Sequence, residues 1–184
     1  MVVLATQSRS GFAPATASAG VRRESAPPVA FLSRGRHHLL KSEQQVATSP
    51  ADAFAFFSQA GNLNALTPAF LHFNILTPLP IAMGEGTLIE YRLRLMGLPV
   101  RWLTRIAEWR PDRGFIDVQL RGPYERWIHH HHFTPCDGGT LVRDVVEYAL
   151  PHVPLSSSIH AWFVRPTLGR IFAYRREAIA RAIG

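Results

Sequence analysis

Cysteine is nearly missing from this 184-residue sequence, where Cys136 stands alone. A single thiol excludes an internal disulfide and any cysteine-based zinc site. It sits in "TPCDGGT", a turn with no adjacent histidine, so a catalytic thiol is not indicated. Long apolar runs are missing too: no uninterrupted stretch approaches the ~18 residues that cross a bilayer as a helix. Acids are scarce at the start. Glu24 is alone among residues 1–35 against Arg9, Arg22, Arg23 and Arg34. That segment is rich in Ala, Ser, Gly and Pro and has no helical or strand periodicity. It cannot bury enough apolar surface to offset its ordering entropy. Residues 1–35 therefore read as a disordered tail. Its arginines and serines allow an organelle transit peptide; the plainer reading is a tail with no targeting role. Its apolar stretches are too short and broken for a secretory signal. The expected location is cytoplasmic, with an organelle as the alternative if the tail is a targeting segment.

The remainder, residues 36–184, reads as one domain. Over the full sequence, hydrophobic residues make up 47% and charged residues 18%, ordinary for a globular chain. The net charge of +7 favours anionic partners without choosing among them. No nucleic-acid motif is recognisable, so nucleic acid is not an expected partner.

Patterning gives the order of elements. "HHLLKSEQQVA" reads as a first strand. "TSPADAFAFFSQAGNLNAL" reads as helix, with Thr48 or Ser49 as N-cap and Pro50 at the first position; Gly61 breaks it into two short helices. "FLHFNIL" reads as a strand. "GTLIEYRLRL" alternates, with Thr87, Ile89, Tyr91, Leu93 and Leu95 on one face. "VRWLTRIAEW", "FIDVQL", "ERWIHHHHFT" and "TLVRDVVEYAL" follow as strands separated by turns, the pattern of an antiparallel meander. From Leu155 the period becomes helical through Ile159, Trp162, Leu168, Ile171, Phe172 and Ile179. Pro166 inside that helix frees the carbonyl of Trp162 and predicts a kink. The class is α+β: a curved antiparallel sheet with two short helices after its first strand, wrapped around a long C-terminal helix. Side chains rarely fill all the space between such layers, so a pocket is expected there.

The stretches "GTLIEYRLRLMGLPVRW", "FIDVQLRGPYERWIHHHHF", "DGGTLVRDVVEYALP" and "FVRPTLGRIFAYR" resemble the SRPBCC superfamily, also called START-like or Bet v 1-like. The similarity is to its ligand-binding and polyketide cyclase/dehydrase-like branch and runs from Arg36 to Tyr174. The resemblance implies a helix-grip fold and a cavity holding a hydrophobic or amphipathic small molecule, such as a lipid, quinone or polyketide. It implies binding or carriage, with a cyclase- or dehydratase-like enzyme as the alternative; no cofactor is expected. Two departures stand out. Pro166 interrupts a helix that is regular in relatives, and the Gly-rich loop of the plant allergen-type members is missing.

"WIHHHHF" holds four consecutive histidines. Alternation puts Trp127, His129, His131 and Phe133 on one face and Ile128, His130 and His132 on the other. Large aromatics belong inside, so His129 and His131 point inward. In the branch the chain resembles, the pattern W-x-H-x-H-x-F carries the inward positions. The same parity sends Asp117 and Gln119 inward with Phe115, and Asp144 and Tyr148 inward with Val142 and Val146. An inward carboxylate left unpaired costs several kcal/mol, so the histidines are candidate partners. Tyr91, Trp102, Trp127 and Trp162 are candidate cavity wall.

Three readings follow. The cluster orients a ligand or satisfies itself; it performs acid–base chemistry on a bound carbonyl ligand; or His129 and His131 bind a metal with a third ligand such as Asp144. Arg165, Arg170, Arg175, Arg176 and Arg181 read as a solvated helix face, with docking to an anionic membrane as the alternative.

Overall fold

The computed structural model describes residues 29–184. The reading of residues 1–28 as tail or targeting segment lies outside the described residues. The tail was expected to reach Gly35, but Val29–Arg34 forms strand β1, paired antiparallel with β2 (His37–Val46) through a turn at Gly35. Parity explains the difference: Val29 and Phe31 pack against the core while Arg34 faces out. A six-residue strand needs only two such contacts, too few to show as periodicity.

Six further strands follow: β3 (Asn74–Ile75), β4 (Leu88–Leu95), β5 (Leu98–Arg110), β6 (Gly114–Arg121), β7 (Arg126–Cys136) and β8 (Gly139–Ala149). They form one antiparallel sheet in the order β1-β2-β8-β7-β6-β5-β4-β3. Two register shifts interrupt the β5–β6 ladder, one at Leu103/Thr104 and one at Ile106/Glu108. Such bulges bend a strand and increase its twist, which curves the sheet.

Helix α1 (Pro50–Phe57) starts where Ser49 accepts a hydrogen bond from the Asp52 amide, with Pro50 in the first turn. It buries Ala53, Phe54 and Phe57 against β6–β8 and the end of the last helix. The second expected helix is a 3-10 turn, Ala60–Leu63. The strand expected over "FLHFNIL" is mostly another 3-10 turn, Ala69–Leu71, closed by left-handed His72, with only two residues left for β3.

The C-terminal helical stretch spans 28 residues and lies against the sheet. It consists of α2 (Ser156–Ile159), a π turn at His160–Val164 and α3 (Arg165–Ile183). The expected irregularity at Pro166 takes this form. Pro166 occupies the first turn of α3, and the Arg165 amide bonds back five residues to the His160 carbonyl. Leu168, Phe172 and Ile179 face the sheet from α3.

Candidate functional site

The inward faces of β6, β7 and β8 bring two histidines and two aspartates together. His129 stands opposite Asp117 across β6–β7, and His131 opposite Asp144 across β7–β8. The hydrogen bonds run on the diagonals. His129 Nε2 is 3.1 Å from Asp144 Oδ1, and His131 Nε2 is 3.0 Å from Asp117 Oδ2. The facing pairs are looser contacts. His129 Nδ1 lies 3.5 Å from Asp117 Oδ2; His131 Nδ1 lies 2.9 Å from Asp144 Oδ1 but off the line of a hydrogen bond. The two imidazole centroids are 3.8 Å apart. His130 is half-buried near Glu147 and His132 is exposed, as alternation requires.

Arg175 completes the cluster. Its Nε donates to Asp144 Oδ2 at 3.2 Å, and its guanidinium lies over the Phe57 ring, 5.2 Å from the centroid. The arginine was expected on a solvated helix face; instead it is buried. It falls on the stripe Leu168, Phe172, Arg175, Ile179, spaced four, three and four, which turns toward the sheet. That spacing was the signal that could have placed it inside.

The surroundings set the protonation states. Burial alone would raise Asp144, but the Arg175 charge and the histidine hydrogen bonds hold it well below the usual carboxylate range. Asp117 is lowered as well, because the hydrogen bond from His131 and the neighbouring cations outweigh burial. Burial, followed by the neighbouring His131, pulls His129 down to about 4, so it is neutral at pH 7. Burial also opposes charge on His131, yet its bonds and charge contacts with both aspartates prevail and raise it. Arg175 and the two histidines thus surround two carboxylates, which suits a desolvated cluster.

A cavity of about 180 Å³ opens beside this cluster, between the sheet and α3. One water needs only ~10–15 Å³, so the space suits a small organic molecule. Leu66, Leu71, Ile89, Leu93, Ile106 and Ile171 give it apolar walls. Tyr91, Trp102, Asp117, Trp127, His129 and His131, all expected at the site, line it. Trp102 is 5% exposed, and its Nε1–H has no acceptor among the described residues. The Tyr91 hydroxyl pairs with Thr104 Oγ1 at 3.3 Å.

The other four expected residues lie elsewhere. Asp144 sits behind the histidines rather than in the wall. Gln119 brackets the β6–β7 turn, donating to the Tyr124 carbonyl at 2.7 Å and accepting from its amide. Tyr148 is buried beside Trp127 and outside the cavity lining, its hydroxyl 2.8 Å from His160 Nε2. Trp162 is 77% exposed, because the π turn inserts a residue and shifts the helical phase ahead of α3. Tyr124, not foreseen, lines the cavity and meets Trp102 edge-on. The metal reading changes partner: Asp117, His129 and His131 are the three residues that each bring one donor atom within 4.8 Å of the others.

Residues 46–179 match the sequence model of a family described as polyketide cyclase / dehydrase and lipid transport. No curated protein matches the sequence significantly. Solved structures share the fold at low identity. Protein CV1439 from Chromobacterium violaceum superposes with a TM-score of 0.60 at 13% identity, covering 79% of this chain and 96% of that one. TTHA0849 from Thermus thermophilus gives 0.58 at 19% identity, covering 78% and 94%. A Thalictrum norcoclaurine synthase point mutant, solved with a transition-state analogue, gives 0.56 at 16% identity, covering 83% and 95%.

Proposed function

This chain belongs to the polyketide cyclase / dehydrase and lipid transport family, within the SRPBCC superfamily, and we propose that it binds and carries a small, largely apolar molecule bearing a polar group. The observation that carries this reading is the cavity: apolar walls on most sides, with a compact polar cluster at one side. Apolar walls supply affinity, and few polar groups supply orientation. The cluster is largely paired with itself, so it can stay desolvated without a ligand. Trp102 lines the wall, and its buried Nε1–H is without a partner among the described residues. Native mass spectrometry of protein purified from its own source tests the reading. A co-purifying organic molecule is expected, with Trp102→Phe weakening its retention. Protein that arrives empty, and takes up no lipid, quinone or aromatic polyketide from a panel, overturns it.

One observation favours a second reading, acid–base chemistry of a cyclase or dehydratase type. His129 lines the cavity as a neutral imidazole, and its Nδ1 makes no hydrogen bond among the described residues. A base so placed could take a proton from a bound carbonyl compound. Loss of turnover in His129→Gln with ligand affinity retained would separate the readings.

Peripheral contact with an anionic membrane would suit a carrier. Exposed Leu155, Trp162 and Phe163 at the start of the C-terminal helical stretch are followed in sequence by Arg165 and Arg170. Sedimentation with liposomes of neutral and anionic composition checks this; equal partitioning in both would count against it.

A further inference from the structure

The geometry points to a divalent transition-metal site built from Asp117, His129 and His131, with Asp144 and Arg175 as its supporting layer. Three observations carry it.

The first is spacing. Two donors held about 2.1 Å from one ion, at angles between octahedral and tetrahedral, lie roughly 3.0–3.4 Å apart. Asp117 Oδ2 is 3.0 Å from His131 Nε2 and 3.5 Å from His129 Nδ1. One donor atom from each of the three residues lies within 4.8 Å of the others. The three residues come from paired positions on β6 and β7, rigid elements rather than loops.

The second is what lies behind them. A metal-bound histidine usually donates its other N–H to a carboxylate, which fixes the ring. Asp144 is placed to do this for His129, and it lies close to His131 without the alignment of a hydrogen bond. Its Oδ1 is 3.1 Å from His129 Nε2 and 2.9 Å from His131 Nδ1. Arg175 holds its second oxygen at 3.2 Å. One buried carboxylate thus backs two histidines whose other nitrogens both lie near the same Asp117 oxygen.

The third is the open side. Asp117, His129 and His131 all line the cavity, so the ion's remaining positions would face the ligand space. Two histidines and one carboxylate suit Zn²⁺ or Fe²⁺ and leave such positions free. Asp117, Asp144 and Arg175 together carry one net negative charge, which a dication exceeds by one. That surplus suits an anionic oxygen from the cavity, either hydroxide or an ionised oxygen of a bound molecule.

The site stands apart from the apolar-ligand reading, since its test needs no organic ligand. Protein is purified without an affinity tag or nickel column, stripped with chelator and titrated with Zn²⁺ by calorimetry. X-ray absorption at the zinc edge is then recorded on the wild-type protein. One ion per chain is expected, with a first shell of two imidazoles and oxygen. Asp144→Asn should bind about 10–100-fold more weakly, and His129→Gln should lose the stoichiometric uptake. The outward pair serves as control, so His130→Gln with His132→Gln should leave uptake unchanged. No stoichiometric uptake by the wild-type protein overturns the site. So does uptake that disappears in the outward double variant, or an absorption spectrum without two imidazoles. The wild-type measurements decide even where a buried variant fails to fold.

Discussion

Arg175 is a charge placed where charge is costly, and its value lies in what it prevents. Asp144 is 3% exposed, and Arg175 supplies the leading charge that keeps it ionised. Removing one member of a buried pair strands the other, at a cost of about 3–5 kcal/mol. Arg175→Met is therefore expected to destabilise the protein by that amount, read as a lower urea midpoint with unchanged slope. A loss below ~1 kcal/mol would mean that the histidines alone satisfy Asp144. The histidines were legible at this scale because strand parity is strict: one bulky inward neighbour, Trp127 or Phe133, fixes the whole face. Arg175 was harder to read, because a helix allows intermediate angles and charge argues for water. Which diagonal each histidine would take was not legible at all, since register belongs to the pairing of strands and not to any one of them.

Elements show how local geometry is held. β6 begins at Gly114, whose φ of 151° and approach to β7 leave no room for a side chain; a Cβ there would meet the His131 carbonyl oxygen at 2.0 Å. Gly114→Ala should push β6 from β7 beside His131, costing about 2–3 kcal/mol in chemical denaturation.

The start of the C-terminal helical stretch carries a second titrating group. His160 is buried, stacks on His38 of β2 at 3.6 Å and bonds the Tyr148 hydroxyl of β8, with Arg165 of α3 nearby. Burial first, then His38 and Arg165, bring it from 6.5 down to about 4. As pH falls through 6.5 the unfolded chain takes up a proton that the folded His160 refuses until about 4, so stability declines across that window and levels off below it. The difference in stability between wild type and His160→Gln should shrink from pH 7 to pH 4. A difference independent of pH would remove His160 from the account. This junction was only half visible in the sequence. Pro166 announced an irregularity, and a π turn lies there that the sequence did not show, with Trp162 facing solvent instead of the cavity.

At the scale of the whole molecule, the sheet and the helix were legible because long alternation and long helical periods survive any tertiary detail. The edges were not. β1 rests on a pairing with β2 and on contacts with α3: Phe31 lies under the Arg165 guanidinium, 5.4 Å from it, and 3.9 Å from where a side chain on Gly169 would begin. Deleting residues 29–34 should therefore lower stability by about 2 kcal/mol or more, since two half-buried apolar side chains and a strand ladder go with them. A truncated protein as stable as the full chain would show that β1 only decorates the edge.

The sheet order carries one more consequence. Neighbouring strands from β3 to β8 follow one another along the chain, but β2 joins the sheet only through β8. Glu43 and its partner Arg143 are 100 residues apart. On a ribosome adding 5–20 residues each second, the β1–β2 hairpin waits for roughly 5–20 s before its partner strand has been made. Through that interval its inner edge is free to pair with another nascent chain, so the first strands of the sheet to emerge are the ones that most need a chaperone.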